Sequence, residues 1–189
     1  LEFRRVLFRS PGFRVEAESL QHDLNENLGL HLSQLRLLNV YDLFGFTPEL
    51  LEASRYRVFG EVQTDEVTDA CDLEGRKFLA VEYLPGQFDQ RAASAVDCVR
   101  LIDPEAEVRI RSSRLLLLDA ATTDEELARV RKYYINAVES REKDLSVLSD
   151  MEQAEVKPVE VLAGLRELTY GELAPYCAKM GLALNADDL

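Results

Sequence analysis

Leu79, Val81 and Tyr83 alternate with Phe78, Ala80 and Glu82, the period of two that predicts a strand over 77–83. Pro85-Gly86 stops that strand. Beyond it Phe88, Ala92, Ala95, Val99 and Ile102 fall at steps of four, three, four and three, which places them on one side of a predicted helix. The same grammar occurs earlier in the chain. Pro11-Gly12-Phe13 opens a predicted helix whose apolar face is Val15, Leu20, Leu24 and Leu28, closed by Gly29.

The two Pro-Gly pairs lie 74 positions apart, and the match continues downstream. An apolar, strand-like run from Leu35 to Phe44 follows the first helix. Val108 to Leu118 follows the second, with Val108, Ile110 and Ser112 alternating against Arg109 and Arg111. Each run leads into a Thr-capped helix. Thr47 stands at an N-cap with Pro48 at the first helical position, and 76 positions later Thr123 and Glu126 form a capping box. Leu51 then matches Leu127 and Arg55 matches Arg131. The sequence therefore predicts an α+β fold of internally duplicated β-α-β-α units, copies about 11–60 and 77–137, pairing as a pseudo-dimeric sheet with packed helices. Glu61 to Cys71 is read as the connector between copies.

Downstream of the duplicated domain, 11–145, a small helical linker domain is expected over 146–189. Ser146 to Lys157 is largely polar and ends at Pro158. Leu162, Leu165 and Leu168 predict a short helix. Thr169 and Glu172 open another, carrying Leu173, Tyr176 and Met180 and ending at Gly181, with Pro175 expected to shorten or bend it. Both ends read as cuts. LEFRRVLFRS, Leu1 to Ser10, resembles the in-frame translation of a sequencing-adapter oligonucleotide, although the repeat calls for a strand just there. Asn185-Ala-Asp-Asp-Leu189 has the N-cap and acidic first turn of a helix that is only beginning.

Charge and chemistry narrow the function more than they define it. The formal net charge of −13 argues against nucleic acid, whose binders need clustered Lys and Arg. Setting aside Glu2, Arg4, Arg5 and Arg9 takes it to −15. No apolar run approaches a bilayer-spanning length, so neither nucleic acid nor membrane is expected as a partner. Cys71, Cys98 and Cys177 form no CxxC pair and no disulfide framework, which favours a reducing, cytoplasmic setting. None of them sits between glycines on a strand-to-helix turn, and there is no GxxxxGK[ST] or GxGxxG loop. His22 and His31 lack a metal-ligand pattern. No catalytic, cofactor-binding or metal-binding residue is predicted. Asp89 and Arg91 after the Pro-Gly turn, and Glu139 and Arg141 after the last helix of the duplicated domain, read either as solvated charges or as interdomain contacts.

AVEYLPGQFDQRAASA at Ala80 to Ala95 and KYYINAVESREKDL at Lys132 to Leu145 resemble the N-terminal region of the large, single-chain form of phosphoribosylformylglycinamidine synthase. PGFRVEAESLQHDLNENLGL at Pro11 to Leu30 and MGLALNADDL at Met180 to Leu189 resemble the same family in the expected order. The family pattern usually reads Asn-Pro-Val-Asp-Ser-Arg where this chain has Asn136-Ala-Val-Glu-Ser-Arg141. The resemblance implies a glutamine- and ATP-dependent amidoligase of de novo purine biosynthesis. Its N-terminal domain is a fused duplicate joined by a helical linker to synthetase and glutaminase domains, which would be this chain's partners. ATP and magnesium would belong to the parent enzyme and to no residue here. An alternative from another class is a duplicated ACT-like small-molecule-binding regulatory module, since ACT-type domains also place a Pro-Gly turn between strand and helix.

Overall fold

Each Pro-Gly pair closes a four-residue turn of the same kind. The Phe13 N–H donates to the Ser10 carbonyl at 3.1 Å and the Gln87 N–H to the Leu84 carbonyl at 3.0 Å. Gly12 and Gly86 both take φ of 90°. Proline presets the second turn position, and only glycine meets that positive φ at the third without strain.

The computed structural model describes residues 2–146, 168–180 and 188. The elements are β1 (Glu2–Arg9), α1 (Val15–Leu28), β2 (Arg36–Phe44), α2 (Pro48–Ser54), β3 (Asp65–Thr68), β4 (Lys77–Tyr83), α3 (Gln90–Ile102), β5 (Arg109–Leu118), α4 (Asp124–Tyr134), β6 (Ser140–Glu142) and α5 (Tyr170–Met180). The fold is α+β: one antiparallel sheet of six strands in the order β3-β1-β2-β5-β4-β6, with five helices among the described residues. At its centre β2 runs against β5 from Arg36↔Leu117 to Phe44↔Arg109.

Side-chain alternation along these strands separates two faces. On one face, Leu7, Tyr41, Leu43 and Ile110 pack under α2 and α3 through Leu50, Leu51, Ala92, Ala95 and Val99. On the same face, Leu79, Val81, Leu116 and Leu118 pack under α1 and α4 through Ala17, Leu24 and Val130. Thus α1 lies with α4, and α2 with α3, although α1 and α4 are separated in the chain by the other two. The other face buries Val6, Leu38, Val40, Ala80, Leu115 and Leu117.

Local signals place the helix ends. Thr47 accepts from the Leu50 N–H at 3.2 Å, and Thr123 from the Glu126 N–H at 3.2 Å, while the Glu126 carboxylate accepts from the Thr123 N–H at 2.8 Å. Gly29 ends α1 at φ 59°. At two helix starts the apolar residue of the predicted face lies outside the core. Val15 is 70% exposed rather than part of the α1 core face, which is carried by Ala17 and Leu24. Phe88 precedes α3 and is 74% exposed, because Asp89 takes the N-cap and turns the chain before the helix begins.

The connector also needs correction, because it contains β3, which pairs with β1 from Val6↔Thr68 to Arg9↔Asp65. Its acidic residues hid the strand: Asp65 is buried, accepting from the Glu61 N–H at 2.8 Å. The strand called for before Pro11 is β1, which lies inside the sheet between β2 and β3 with Val6 and Leu7 buried.

The chain divides into two compact units, Leu1–Ala154 and Glu155–Leu189. In the second, Thr169 donates from its N–H and hydroxyl to Glu172 Oε2 at 2.9 and 2.6 Å. Helix α5 continues through Pro175 to Met180. The predicted helix at Leu162 to Leu168 and the one beginning at Asn185 lie almost wholly outside the described residues.

Candidate interaction surface

The turn after β4 and the loop after α4 are more than fifty residues apart in sequence and come together in the fold. Tyr83 pairs with Ser140 where β6 joins the edge of β4. The Leu84 N–H donates to the Glu139 carbonyl at 2.9 Å, and the Gln87 side-chain amide donates to the Val138 carbonyl at 3.4 Å. Around Asn136 the loop holds itself: its carbonyl accepts from the Ser140 N–H at 2.8 Å and the Ser140 hydroxyl at 3.0 Å. Two apolar side chains are left outside, Phe88 and the 79%-exposed Val138. Hydrogen bonds thus hold both exposed apolar side chains on fixed turns at this edge of the sheet.

Asp89 has a structural duty here. Its Oδ1 accepts from the Ala92 N–H and the Ser112 hydroxyl, and its Oδ2 from the Ser112 N–H, each at 2.9 Å. It therefore caps α3 and ties that helix to β5. Arg141 is likewise committed: its guanidinium donates to Glu82 Oε1 at 2.8 Å. Glu139 and Arg91 are exposed, Glu139 on this loop and Arg91 on the first turn of α3. Three of the four residues singled out in the sequence thus gather around the β4–α3 turn and the β6 loop, while Arg91 lines a neighbouring groove with Cys98, which Glu139 also reaches.

Behind the loop lies a charge network that the sequence did not disclose. Glu82, 7% exposed, accepts from Arg111 at 3.2 Å and lies 3.7 Å from the Lys143 ammonium. Lys143 also pairs with Asp42, and Asp42 with Arg4 at 2.8 Å. The Lys143 N–H donates to the Ala80 carbonyl at 2.9 Å, extending the attachment past β6. Buried charges are tolerated when paired in this way. The available signal was a carboxylate at an inward position of each of two apolar strands, Asp42 and Glu82, which requires cations from elsewhere.

Reactive groups are sparse. Burial pushes the Cys71 thiol up, and burial likewise pushes the Tyr134 phenol up. No group of three or more His, Cys, Asp or Glu among the described residues is arranged to hold a metal. No helix among them is long and apolar enough to cross a membrane. No protein-family model and no curated protein matches this chain.

Proposed function

We propose that the chain is the N-terminal scaffold and interface piece of a phosphoribosylformylglycinamidine synthase, non-catalytic by itself and working in the cytoplasm against the synthetase and glutaminase domains of the parent enzyme. The observation that carries this reading is the meeting of the two stretches that most resemble the family. They join through Tyr83↔Ser140 and the Leu84–Glu139 hydrogen bond, and together present Phe88 and Val138 outward. Ligand chemistry, ATP and magnesium included, is assigned to the parent's other domains.

The duplication is part of the same proposal, and the sheet supports it arithmetically. Adding the repeat offset of 74 to Asn39 gives Ser113, and adding it to Val40 gives Arg114. Val40 pairs with Ser113 and Asn39 with Arg114. A two-fold axis between β2 and β5 would exchange these pairs, and the strand order reads 2-1-3 outward on one side and 5-4-6 on the other. Phe13 and Val62, 52% and 71% exposed, stand 75 and 76 positions before Phe88 and Val138, near the repeat offset though not at it.

Recovering the gene beyond Leu189 tests the family reading directly: a synthetase domain with phosphate- and metal-binding motifs supports it, and an unrelated domain or a stop codon overturns it in favour of the ACT-like module. With that domain in hand, Phe88→Asp combined with Val138→Asp should weaken its association with the 189-residue chain by about tenfold or more while leaving stability within about 0.5 kcal/mol, as expected of exposed positions.

A further inference from the structure

A groove of about 700 Å³ opens on the helix-bearing face of the sheet, with α3 along one side and Glu16 of α1 and Tyr134 of α4 along the other. Its volume is in the range of small-molecule sites. A second hollow, lined by Leu7, Leu37 and Asn39, shares Glu16 and Arg91 with it, so the two meet at those residues.

The polar groups in the groove are unevenly satisfied. Glu16 pairs with Arg114 through Nη2 and so has its cation. Arg114 Nε, in contrast, is buried without a hydrogen-bond partner among the described residues. Being buried, that N–H lies out of reach of a molecule seated in the groove. Arg91 lines the same groove with no ion pair or hydrogen bond among the described residues. Ser94 stands one turn further along α3 and adds an exposed hydroxyl to that side. Glu139, toward the β6 loop, has no side-chain ion pair or hydrogen bond among the described residues. Glu82 also lines the groove, but its charge is already met by Arg111 and Arg141. The unused donors on the α3 side are Arg91 and Ser94, in a chain whose formal net charge is −13.

We propose that this groove binds a small organic anion, a carboxylate or a phosphate ester, with its oxygens on the Arg91 guanidinium and the Ser94 hydroxyl and its remainder along Tyr41 and Val81. Arginine forks are suited to such oxyanions, and charge-assisted hydrogen bonds are the strong ones. The inference does not depend on the family reading, because it uses only the groove and its unpaired groups.

Cys98 supplies the readout. It is exposed on the α3 wall of the groove, whereas Cys71 is half-buried and Cys177 is buried. Alkylation of the 189-residue chain by neutral iodoacetamide is followed at Cys98 with citrate or pyrophosphate titrated as the probe. Saturable protection of Cys98 by at least one of the two is expected. Arg91→Ala should weaken that protection by about tenfold or more, the loss of a charge-assisted contact. Ser94→Trp should abolish it by filling the groove, and both positions are exposed, so the fold is retained. Glu139→Gln should tighten binding, since it removes a like charge from the groove lining. The proposal is overturned if neither probe protects Cys98, or if protection is unchanged in both Arg91→Ala and Ser94→Trp. Weaker binding in Glu139→Gln also overturns it, because the groove would then select a zwitterion.

Discussion

Asp89 holds Ser112 by two hydrogen bonds, from the backbone N–H to Oδ2 and from the hydroxyl to Oδ1, both at 2.9 Å. The same carboxylate caps α3, so a single side chain sets the position of that helix relative to β5, and with it the groove wall carrying Arg91, Ser94 and Cys98. Asp89→Ala is expected to lower stability by about 2–4 kcal/mol, combining a lost N-cap with an unsatisfied Ser112 N–H. Asp89→Asn, which keeps one accepting oxygen, should lose less. Urea denaturation of both variants checks the order.

Two glycines with similar backbone angles should respond differently to alanine. Gly86 has φ of 90° and open space where a Cβ would lie, so Gly86→Ala meets only the left-handed backbone cost of about 1–2 kcal/mol. Gly45, at the end of β2, has φ of 78°, and a Cβ there would come 2.6 Å from the Glu107 carbonyl oxygen. Backbone cannot swing aside as a side chain can. Gly45→Ala should therefore cost about 2–5 kcal/mol, the sum of conformational strain and overpacking. Thermal unfolding of the two variants side by side makes the comparison.

Glu52 gives the chain an acid limb. Hydrogen bonds from Arg55 and then Arg5 hold its carboxyl down at about 2, against an ordinary 4.5. A carboxyl whose folded pKa is depressed adds stability above its unfolded pKa and loses it as pH falls through the folded value. Unfolding midpoints should therefore decline between about pH 4.5 and 2, and Glu52→Gln should flatten that decline while lowering the midpoint at neutral pH. A midpoint series whose acid slope is the same in Glu52→Gln and in the parent chain would refute this assignment.

Much of the architecture was legible from residues only a few positions apart. Pro11-Gly12 and Pro85-Gly86, Thr47, the Thr123–Glu126 box and Gly29 all act on backbone within one turn, so their effect is visible in the sequence. The same holds for the alternation that marks β4 and β5. Acidic residues masked β3, whose hydrogen-bond partners lie in β1 some sixty residues away. A strand as short as β6 carries no periodic signal of its own, and only its pairing with β4 defines it.

By itself, then, the sequence determined the turns, the caps and the principal strands and helices, because these depend on local backbone preferences and short-range patterning. Tertiary structure alone decided that α1 packs with α4 and α2 with α3, that Lys143 reaches Asp42 across 101 positions, and that Arg5 is fully buried within β1. It also decided that Asp89 is committed to Ser112 while Arg91 is left facing a groove. Those outcomes follow from which faces can be buried together and which charges then find partners, and neither condition leaves a mark on neighbouring residues in the chain.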